Sequence, residues 1–287
     1  MNRRLRCGTS SKAWLKLRPW GRAEMDMLRG LILGCLILLG GPMSWAAEVP
    51  AIAAAANIKF ALDKIAADFT QDTGKRVRIS YGSSGNFVAQ LRHGAPFELF
   101  LSADDKYIYQ LHKLGVTDSD GQVYAIGRLA IAAPKRSSLG IDAELAGLKQ
   151  LLDRGELKRF AIANPEHAPY GERAKEVLKR LELWQPLQVH LIYGENVSQA
   201  AQFALSGSTD GGIVALSLAM APQFRAASHY VALPSEWHSP MNQRMVLTPK
   251  AGETAKAFYA YLSQPKARAI FTEFGFGLPP ISEAGDQ

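Results

Sequence analysis

The chain is 287 residues long and has a formal net charge of +7, with 33 Lys and Arg residues against 26 Asp and Glu. Residues 1–46 hold eight of the basic residues and two of the acidic ones, so residues 47–287 keep 25 and 24 and are almost neutral. This balance gives no reason to expect a nucleic-acid partner. The two cysteines, Cys7 and Cys35, both lie in the first segment, which excludes disulfides, thiolate metal sites and a cysteine nucleophile from residues 47–287.

Residues 1–46 are predicted to be a signal peptide. The apolar run LRGLILGCLILLGG, residues 28–41, follows several arginines and precedes the small residues Ser44 and Ala46. This arrangement is typical of a secretory signal, here with cleavage after Ala46. The run is short for a membrane-spanning helix, so export is favoured over anchoring.

Two alternatives concern the same segment. Translation that starts at Met25 or Met27 would shorten the basic region but leave the mature protein unchanged. A lipoprotein attached through Cys35 is less consistent with the sequence, because further apolar residues follow this cysteine instead of a polar mature chain.

Residues 47–287 alternate between short apolar runs and longer amphipathic runs, which predicts an α/β fold with mostly parallel strands. Their length suits one large domain or two of ordinary size. Apolar residues at helical spacing predict a first helix, with Asn57 as a cap candidate before it and Gly74 as its stop. Strands are predicted at residues 77–81, 99–102, 129–132, 160–163, 189–193 and 213–216.

Three predicted turns before helices consist of small or amide residues and carry few charges. They are AAAAN (53–57), GSSGN (82–86) and ENVSQA (195–200). A helix start leaves backbone N–H groups unpaired and has partial positive charge, so several starts aimed at one point would form an anion site. Taken singly, each turn is better explained as an ordinary capped helix, because Ser and Asn are common caps.

These turns and two further stretches resemble the periplasmic molybdate-binding proteins that supply molybdate ABC transporters. The further stretches are GAPFELFLSAD (94–104) and NPEHAPYGERAKEVL (164–178), and the resemblance spans about residues 49–280. It implies a type II periplasmic-binding-protein fold, in which two α/β lobes enclose a ligand cleft.

The resemblance also implies a discontinuous domain organisation. A signal peptide at residues 1–46 precedes a first lobe, which consists of residues 47–127 plus 241–287. The second lobe is residues 128–240.

Four ligand residues for a tetrahedral oxyanion follow from the resemblance, and they are Asn57, Ser84, Tyr170 and Val197. Ser84 would use both its hydroxyl and its backbone N–H, and Val197 only its backbone N–H. Ala56 and Ser83 are secondary candidates. Ala56 lacks the hydroxyl of the threonine that this branch of the family can carry. Ala215 replaces the ligand tyrosine of the other branch, so Tyr170 is expected to supply the phenol.

A pocket that contains only hydrogen-bond donors suits molybdate, which is a fully deprotonated dianion. Charge-assisted hydrogen bonds contribute about 1.5–3 kcal/mol each, so about five of them could outweigh an association cost of roughly 4–15 kcal/mol. Protonated phosphate would be disfavoured because its O–H would find no acceptor. Sulfate must be rejected by size, whereas tungstate, which is nearly as large as molybdate, should bind as well.

The expected partners are the oxyanion and an inner-membrane ABC permease. We expect a periplasmic monomer with no cofactor, no nucleic-acid partner and no enzymatic activity. Molybdenum would enter only within the oxyanion, with no direct protein ligand to the metal, and the histidines show no pair at metal-ligand spacing.

Three other functions are compatible with the same residues. The chain could bind sulfate or another tetrahedral oxyanion, or could be a docking protein that has lost its ligand. It could also be an exported enzyme on the same fold. Glu166 and His167, near Tyr170, come nearest to catalytic groups, but no nucleophile with a base can be assigned from the sequence.

Overall fold

The computed structural model describes residues 49–280. Within this range the chain forms two five-stranded sheets with helices packed against them. Over the same residues no helix is both long enough and apolar enough to cross a membrane. The predicted signal peptide, residues 1–46, lies outside the described residues.

The strands are β1 (Ala51–Ala55), β2 (Arg78–Gly82), β3 (Leu99–Ser102), β4 (Gln122–Ile126), β5 (Leu129–Pro134), β6 (Phe160–Ala163), β7 (Leu191–Gly194), β8 (Gly211–Ala215), β9 (Ser228–Ala232) and β10 (Asn242–Leu247). The helices are α1 (Lys59–Thr73), α2 (Ser84–Arg92), α3 (Asp105–Lys113), α4 (Ala146–Asp153), α5 (Pro169–Arg180), α6 (Trp184–Leu187), α7 (Val197–Leu205), α8 (Leu216–Ala219), α9 (Pro222–Arg225), α10 (Glu253–Leu262) and α11 (Pro265–Glu273). Short 3-10 turns occur at Ala56–Ile58, Gln188–His190 and Ser235–Trp237.

Both sheets are mixed. The first has the strand order β2-β1-β3-β10-β4 and the second the order β7-β6-β8-β5-β9. In the first sheet β1 is parallel to β2 and β3, and β10 is antiparallel to β3 and β4. In the second, β6 is parallel to β7 and β8, and β5 is antiparallel to β8 and β9. The α/β prediction is confirmed, and four of the five strands in each sheet run in the same direction. Only β5 and β10 run against the others, because they enter their sheets directly from the other sheet.

The chain crosses between the sheets after β4 and again before β10. We call residues 51–126 and 242–273 the first-sheet half, and residues 129–232 the second-sheet half. The first-sheet half therefore combines an early part of the chain with a late part, and β10 lies between β3 and β4. Each half has its own apolar core, and the aromatic rings of Phe69 and Phe258 pack edge to face in the first one, with centroids 5.0 Å apart.

Local signals place the ends of several helices. Gly74 follows α1 in the left-handed conformation, with φ of 70°, which glycine adopts without strain. Asn196 caps α7, because its side chain accepts hydrogen bonds from the backbone N–H groups of Ser198 and Gln199. Asn57 was expected to cap α1 but does not. It lies within the 3-10 turn before the helix, and its side-chain amide bonds Gln243 instead.

Candidate functional site

A small cavity lies between the two halves, where several helix starts meet. It is bordered by the starts of α2, α5 and α7 and by the turn Ala56–Ile58. Its wall consists of Ala55, Ala56, Asn57, Gly82, Ser83, Ser84, Ala103, Ala168, Pro169, Tyr170, Asn196 and Val197.

The structure brings all six sequence-predicted site residues to this one cavity. No side chain in its wall carries a formal charge, so an anion there would meet helix-start dipoles, hydroxyls and amides only. The polar side chains are almost fully shielded from water, since Asn57 is 1% exposed, Ser84 0% and Tyr170 2%. Hydrogen bonds made in such a place are stronger than in water because the local dielectric is low.

Ser84 is the first residue of α2. Its Oγ accepts a hydrogen bond of 3.0 Å from the backbone N–H of Ala103, which follows β3. Because this bond uses Oγ as an acceptor, the hydroxyl proton remains available for donation. Ser84 can therefore donate through its hydroxyl, and as a first-turn residue its backbone N–H has no intrahelical acceptor.

Ser83 occupies the cap position of α2 in an extended conformation. Its side chain makes no capping hydrogen bond, and its Oγ is buried without a partner among the described residues. A buried hydroxyl without a partner is costly. Ser83 is thus a second hydroxyl in the cavity wall and is not the ordinary cap that the turn suggested.

Asn57 is held by partners from both halves. Its Nδ2 donates to Gln243 Oε1 at 3.0 Å and to Tyr170 Oη at 3.2 Å. Its backbone carbonyl accepts a bond of 2.8 Å from Ser217 Oγ of α8. Its Oδ1 has no hydrogen-bond partner among the described residues.

Tyr170 lies in the first turn of α5, which begins with Pro169. Its phenol oxygen accepts hydrogen bonds from Gln243 Nε2 at 2.9 Å and from Asn57 Nδ2 at 3.2 Å. Burial raises the pKa of the Tyr170 phenol well above its usual value. The phenol therefore stays protonated, and its proton is not used in the bonds with these two donors.

Val197 is the first residue of α7 and has an almost fully buried side chain. The side chain of the neighbouring cap residue, Asn196, accepts hydrogen bonds from the N–H groups of Ser198 and Gln199 but not from the N–H of Val197. A first-turn N–H has no acceptor within its own helix. An apolar residue can therefore contribute a backbone donor that its side chain does not reveal.

Further contacts join the halves around the cavity. Ser198 Oγ of α7 donates to the carbonyl of Ala56 at 2.9 Å, and the backbone N–H of Gly85 donates to the carbonyl of His167 at 3.0 Å. Two ion pairs flank them, Asp104 with Arg173 and Lys106 with Glu172. The two halves are closed upon each other at this cavity.

Sequence reasoning missed Gln243, which touches two of the predicted site residues. The signal was present but weak. In β10, Gln243 points to the same face of the strand as the buried Met245, so a polar amide occupies a position where an apolar side chain is expected.

His167 lies at the rim of the cavity. Its ring contacts the backbone carbonyl and the carboxylate of Glu195, at 3.0 and 3.4 Å. In residues 49–280 no three His, Cys, Asp or Glu side chains are grouped to hold a metal ion.

Comparison with known proteins places this geometry in a family. Residues 51–277 match the family model described as "Bacterial extracellular solute-binding protein". The "Molybdate-binding protein ModA" of Azotobacter vinelandii is 36% identical over 236 residues, which cover 81% of this chain and 91% of that protein. The protein of the same name from Rhodobacter capsulatus is 34% identical over 255 residues, 87% of this chain and 96% of that protein.

A solved structure gives the same result for the fold. The periplasmic molybdate-binding protein of Azotobacter vinelandii superimposes with a TM-score of 0.73 at 31% identity, and the match covers 80% of this chain and 99% of that one. The family comprises solute-binding proteins and not enzymes, as predicted. The chain belongs to the bacterial extracellular solute-binding proteins, and its predicted resemblance to the molybdate-binding members is confirmed.

Proposed function

We propose that the protein is a periplasmic binding protein that captures molybdate and delivers it to an ABC importer in the inner membrane. One observation carries the proposal. The six residues that the family resemblance identified are spread over about 140 positions of sequence but line one uncharged cavity between the halves. Lobe I would comprise residues 47–127 plus 241–287, and lobe II residues 128–240.

The ligand residues in this proposal act as hydrogen-bond donors. Ser84 and Tyr170 supply hydroxyl protons, and Val197 supplies its backbone N–H. Asn57 would donate its backbone N–H from the start of the 3-10 turn, because both protons of its Nδ2 are donated to Gln243 and Tyr170, with the backbone of Ala56 and the hydroxyl of Ser83 beside it. About five such charge-assisted bonds, each about 1.5–3 kcal/mol, are enough for binding in the micromolar range or tighter.

Selectivity would follow from the shortage of acceptors and from size. A wall in which donors outnumber acceptors favours a dianion without protons over protonated phosphate. A rigid ring of donors fits the larger tetrahedral anions, so tungstate should bind with molybdate, whereas sulfate would leave its hydrogen bonds too long.

Ligand binding would be coupled to closure of the lobes. An oxyanion that bonds Ser84 in one lobe and Val197 in the other has its full set of contacts only in the closed form, so it shifts the equilibrium toward that form. The closed protein, exported with its signal peptide removed and acting as a monomer, would then present its ligand to the permease.

Isothermal titration of the mature protein with molybdate, tungstate and sulfate tests the proposal. We expect tight one-to-one binding of the first two anions and no heat with sulfate. Sulfate binding as tight as that of molybdate would identify a general oxyanion carrier. A lack of binding to all three would refute the oxyanion function and leave only the family assignment.

A further inference from the structure

Gln243 is a fully buried amide that contacts residues of both halves. It lies in β10, is 0% exposed, and is one of the few polar residues in the protein interior. Its Oε1 accepts hydrogen bonds from Asn57 Nδ2 and from Tyr124 Oη, both at 3.0 Å. Its Nε2 donates to Tyr170 Oη at 2.9 Å.

The direction of these bonds is supported by Tyr124 and Asn57. Burial raises the pKa of the Tyr124 phenol well above its usual value, so it keeps its proton, and Gln243 Oε1 at 3.0 Å is a nearer acceptor for it than the carbonyl of Ser102 at 3.3 Å. Two donors, Tyr124 and Asn57, therefore occupy the Gln243 carbonyl oxygen. Turning the amide by 180° would set its NH₂ group against the NH₂ group of Asn57, and buried donors that face each other are costly.

The fixed amide in turn controls the phenol of Tyr170. Gln243 Nε2 and Asn57 Nδ2 both donate to the phenol oxygen. A phenol has one proton, and that proton cannot be donated to either of these donors. The side that remains faces the cavity, whose wall includes Tyr170.

Gly127 leaves the room for this contact. It lies at the crossing between β4 and β5, and a Cβ atom there would be 2.6 Å from Tyr170 Oη and 2.7 Å from Gln243 Nε2. At these distances a Cβ atom would force Tyr170 Oη and Gln243 Nε2 out of their present positions. The crossing segment thus permits an amide from the first-sheet half to reach a phenol of the second-sheet half.

We propose that Gln243 is a positioning residue that directs the hydroxyl proton of Tyr170 into the cavity, toward the bound oxyanion. The inference rests on the proposed oxyanion-binding function. Because Gln243 and Tyr170 belong to different halves, the same hydrogen bond links the orientation of the phenol to closure. Gln243 itself is not part of the cavity wall, and its amide bonds Asn57, Tyr124 and Tyr170.

Two substitutions of Gln243 separate the effect of its hydrogen bond to Tyr170 from the effect of its side-chain packing. Gln243→Met keeps the length of the side chain but removes the donor, so the phenol is free to turn away; we expect molybdate affinity to fall about tenfold. Gln243→Glu reverses the bond, because the carboxylate accepts the proton of Tyr170 and adds negative charge beside the anion. We expect it to weaken affinity by about a hundredfold or more.

A double-mutant cycle with Tyr170→Phe supplies the decisive readout. If Gln243 acts through the phenol, Gln243→Met will change affinity less than about twofold in a protein that already carries Tyr170→Phe. Gln122→Met and Gln122→Glu are matched controls, because Gln122 lies in the neighbouring strand β4 and bonds Ser263 away from the cavity. Both controls should bind molybdate like the unsubstituted protein, and thermal unfolding without ligand will show that each variant is folded.

The outcomes are distinct. A loss with Gln243→Met that disappears in the Tyr170→Phe background supports the inference. Equal losses in both backgrounds, or no loss in either, overturn it while molybdate binding by the unsubstituted protein stands. Failure of the unsubstituted protein to bind molybdate overturns both the proposed function and this inference. If Gln243→Glu does not fold, the double-mutant cycle with Gln243→Met still tests whether Gln243 acts through Tyr170.

Discussion

Arg173 of the second-sheet half forms a buried ion pair with Asp104 of the first-sheet half. The two side chains are only 10% and 4% exposed, and Asp104 also caps α3 through the backbone N–H of Lys106. Arg173 has a second partner, Glu176, on its own helix, with Nη1 and Oε1 2.8 Å apart. When the halves separate, Arg173 keeps Glu176 but loses Asp104, so the contact with Asp104 belongs to the closed form alone.

Breaking this pair should therefore weaken ligand binding. Arg173→Met leaves the Asp104 carboxylate buried and unpaired in the closed form, which costs about 3–5 kcal/mol. We expect molybdate affinity to fall by about a hundredfold or more, mainly through faster dissociation, as measured by stopped-flow release. Lys256→Met is the control, since it breaks an exposed pair with Glu253 that is worth at most about 1 kcal/mol. Equal dissociation rates in the two variants would refute the role of Arg173.

A side chain at position 85 should hinder closure of the two halves without destabilising the half that contains it. A Cβ at this position would lie 2.7 Å from the carbonyl oxygen of His167, across the interface between the halves. Alanine also forms helices better than glycine, by up to about 1 kcal/mol. We expect Gly85→Ala to leave the unfolding temperature without ligand unchanged or higher, while molybdate affinity falls about tenfold to a hundredfold.

Differential scanning fluorimetry without and with molybdate tests whether the unfolding temperature of the ligand-free protein is kept while molybdate affinity falls. Gly252→Ala is the control, because the nearest atom to its added methyl group is the flexible Glu98 carboxylate, 3.4 Å away. A Gly85→Ala protein that binds molybdate normally would show that the halves do not need this close approach.

Ser84→Ala should weaken binding while the protein still folds. The substitution removes one charge-assisted donor and also the acceptor for the Ala103 N–H group. Loss of the donor alone corresponds to about 1.5–3 kcal/mol, or about tenfold to a hundredfold in Kd by isothermal titration. Ser235→Ala, on an exposed turn, should bind normally. Unchanged affinity in Ser84→Ala would remove Ser84 from the site.

His238 should make the ligand-free protein less stable in mild acid. Its Nδ1 lies 2.8 Å from the carbonyl of Ser239, its Nε2 is buried without a partner among the described residues, and burial lowers its pKa. The folded state therefore takes up this proton less readily than the unfolded state. The stabilising contribution is complete above about pH 6.5 and is lost as the pH falls through the lower folded-state pKa, by at most about 1.4 kcal/mol per pH unit.

Urea denaturation of the ligand-free protein at several pH values measures this contribution. His238→Gln should flatten the dependence below pH 6.5, whereas His93→Gln, at an exposed position, should leave it unchanged. The same slope in all three proteins would assign the acid sensitivity to other groups.

Local sequence was sufficient for features that depend on neighbouring residues. The stop at Gly74 and the helix starts at Ser84 and Val197 follow from backbone preferences and short-range hydrogen bonds. The uncharged turns also indicated that any anion site would rely on helix starts. Assigning particular ligand residues required the family resemblance, because the side chain of Val197 carries no sign of a backbone donor.

The tertiary structure alone decided how these turns are joined into one site. Gln243 lies 73 residues from Tyr170 and 186 from Asn57, and Arg173 lies 69 residues from Asp104. No local propensity relates residues so far apart, since their contact depends on β10 returning to the first sheet between β3 and β4. The sequence by itself determined the helix starts and their lack of charge. The two chain crossings determined which of them meet, which buried amide contacts Tyr170, and which ion pair joins the halves.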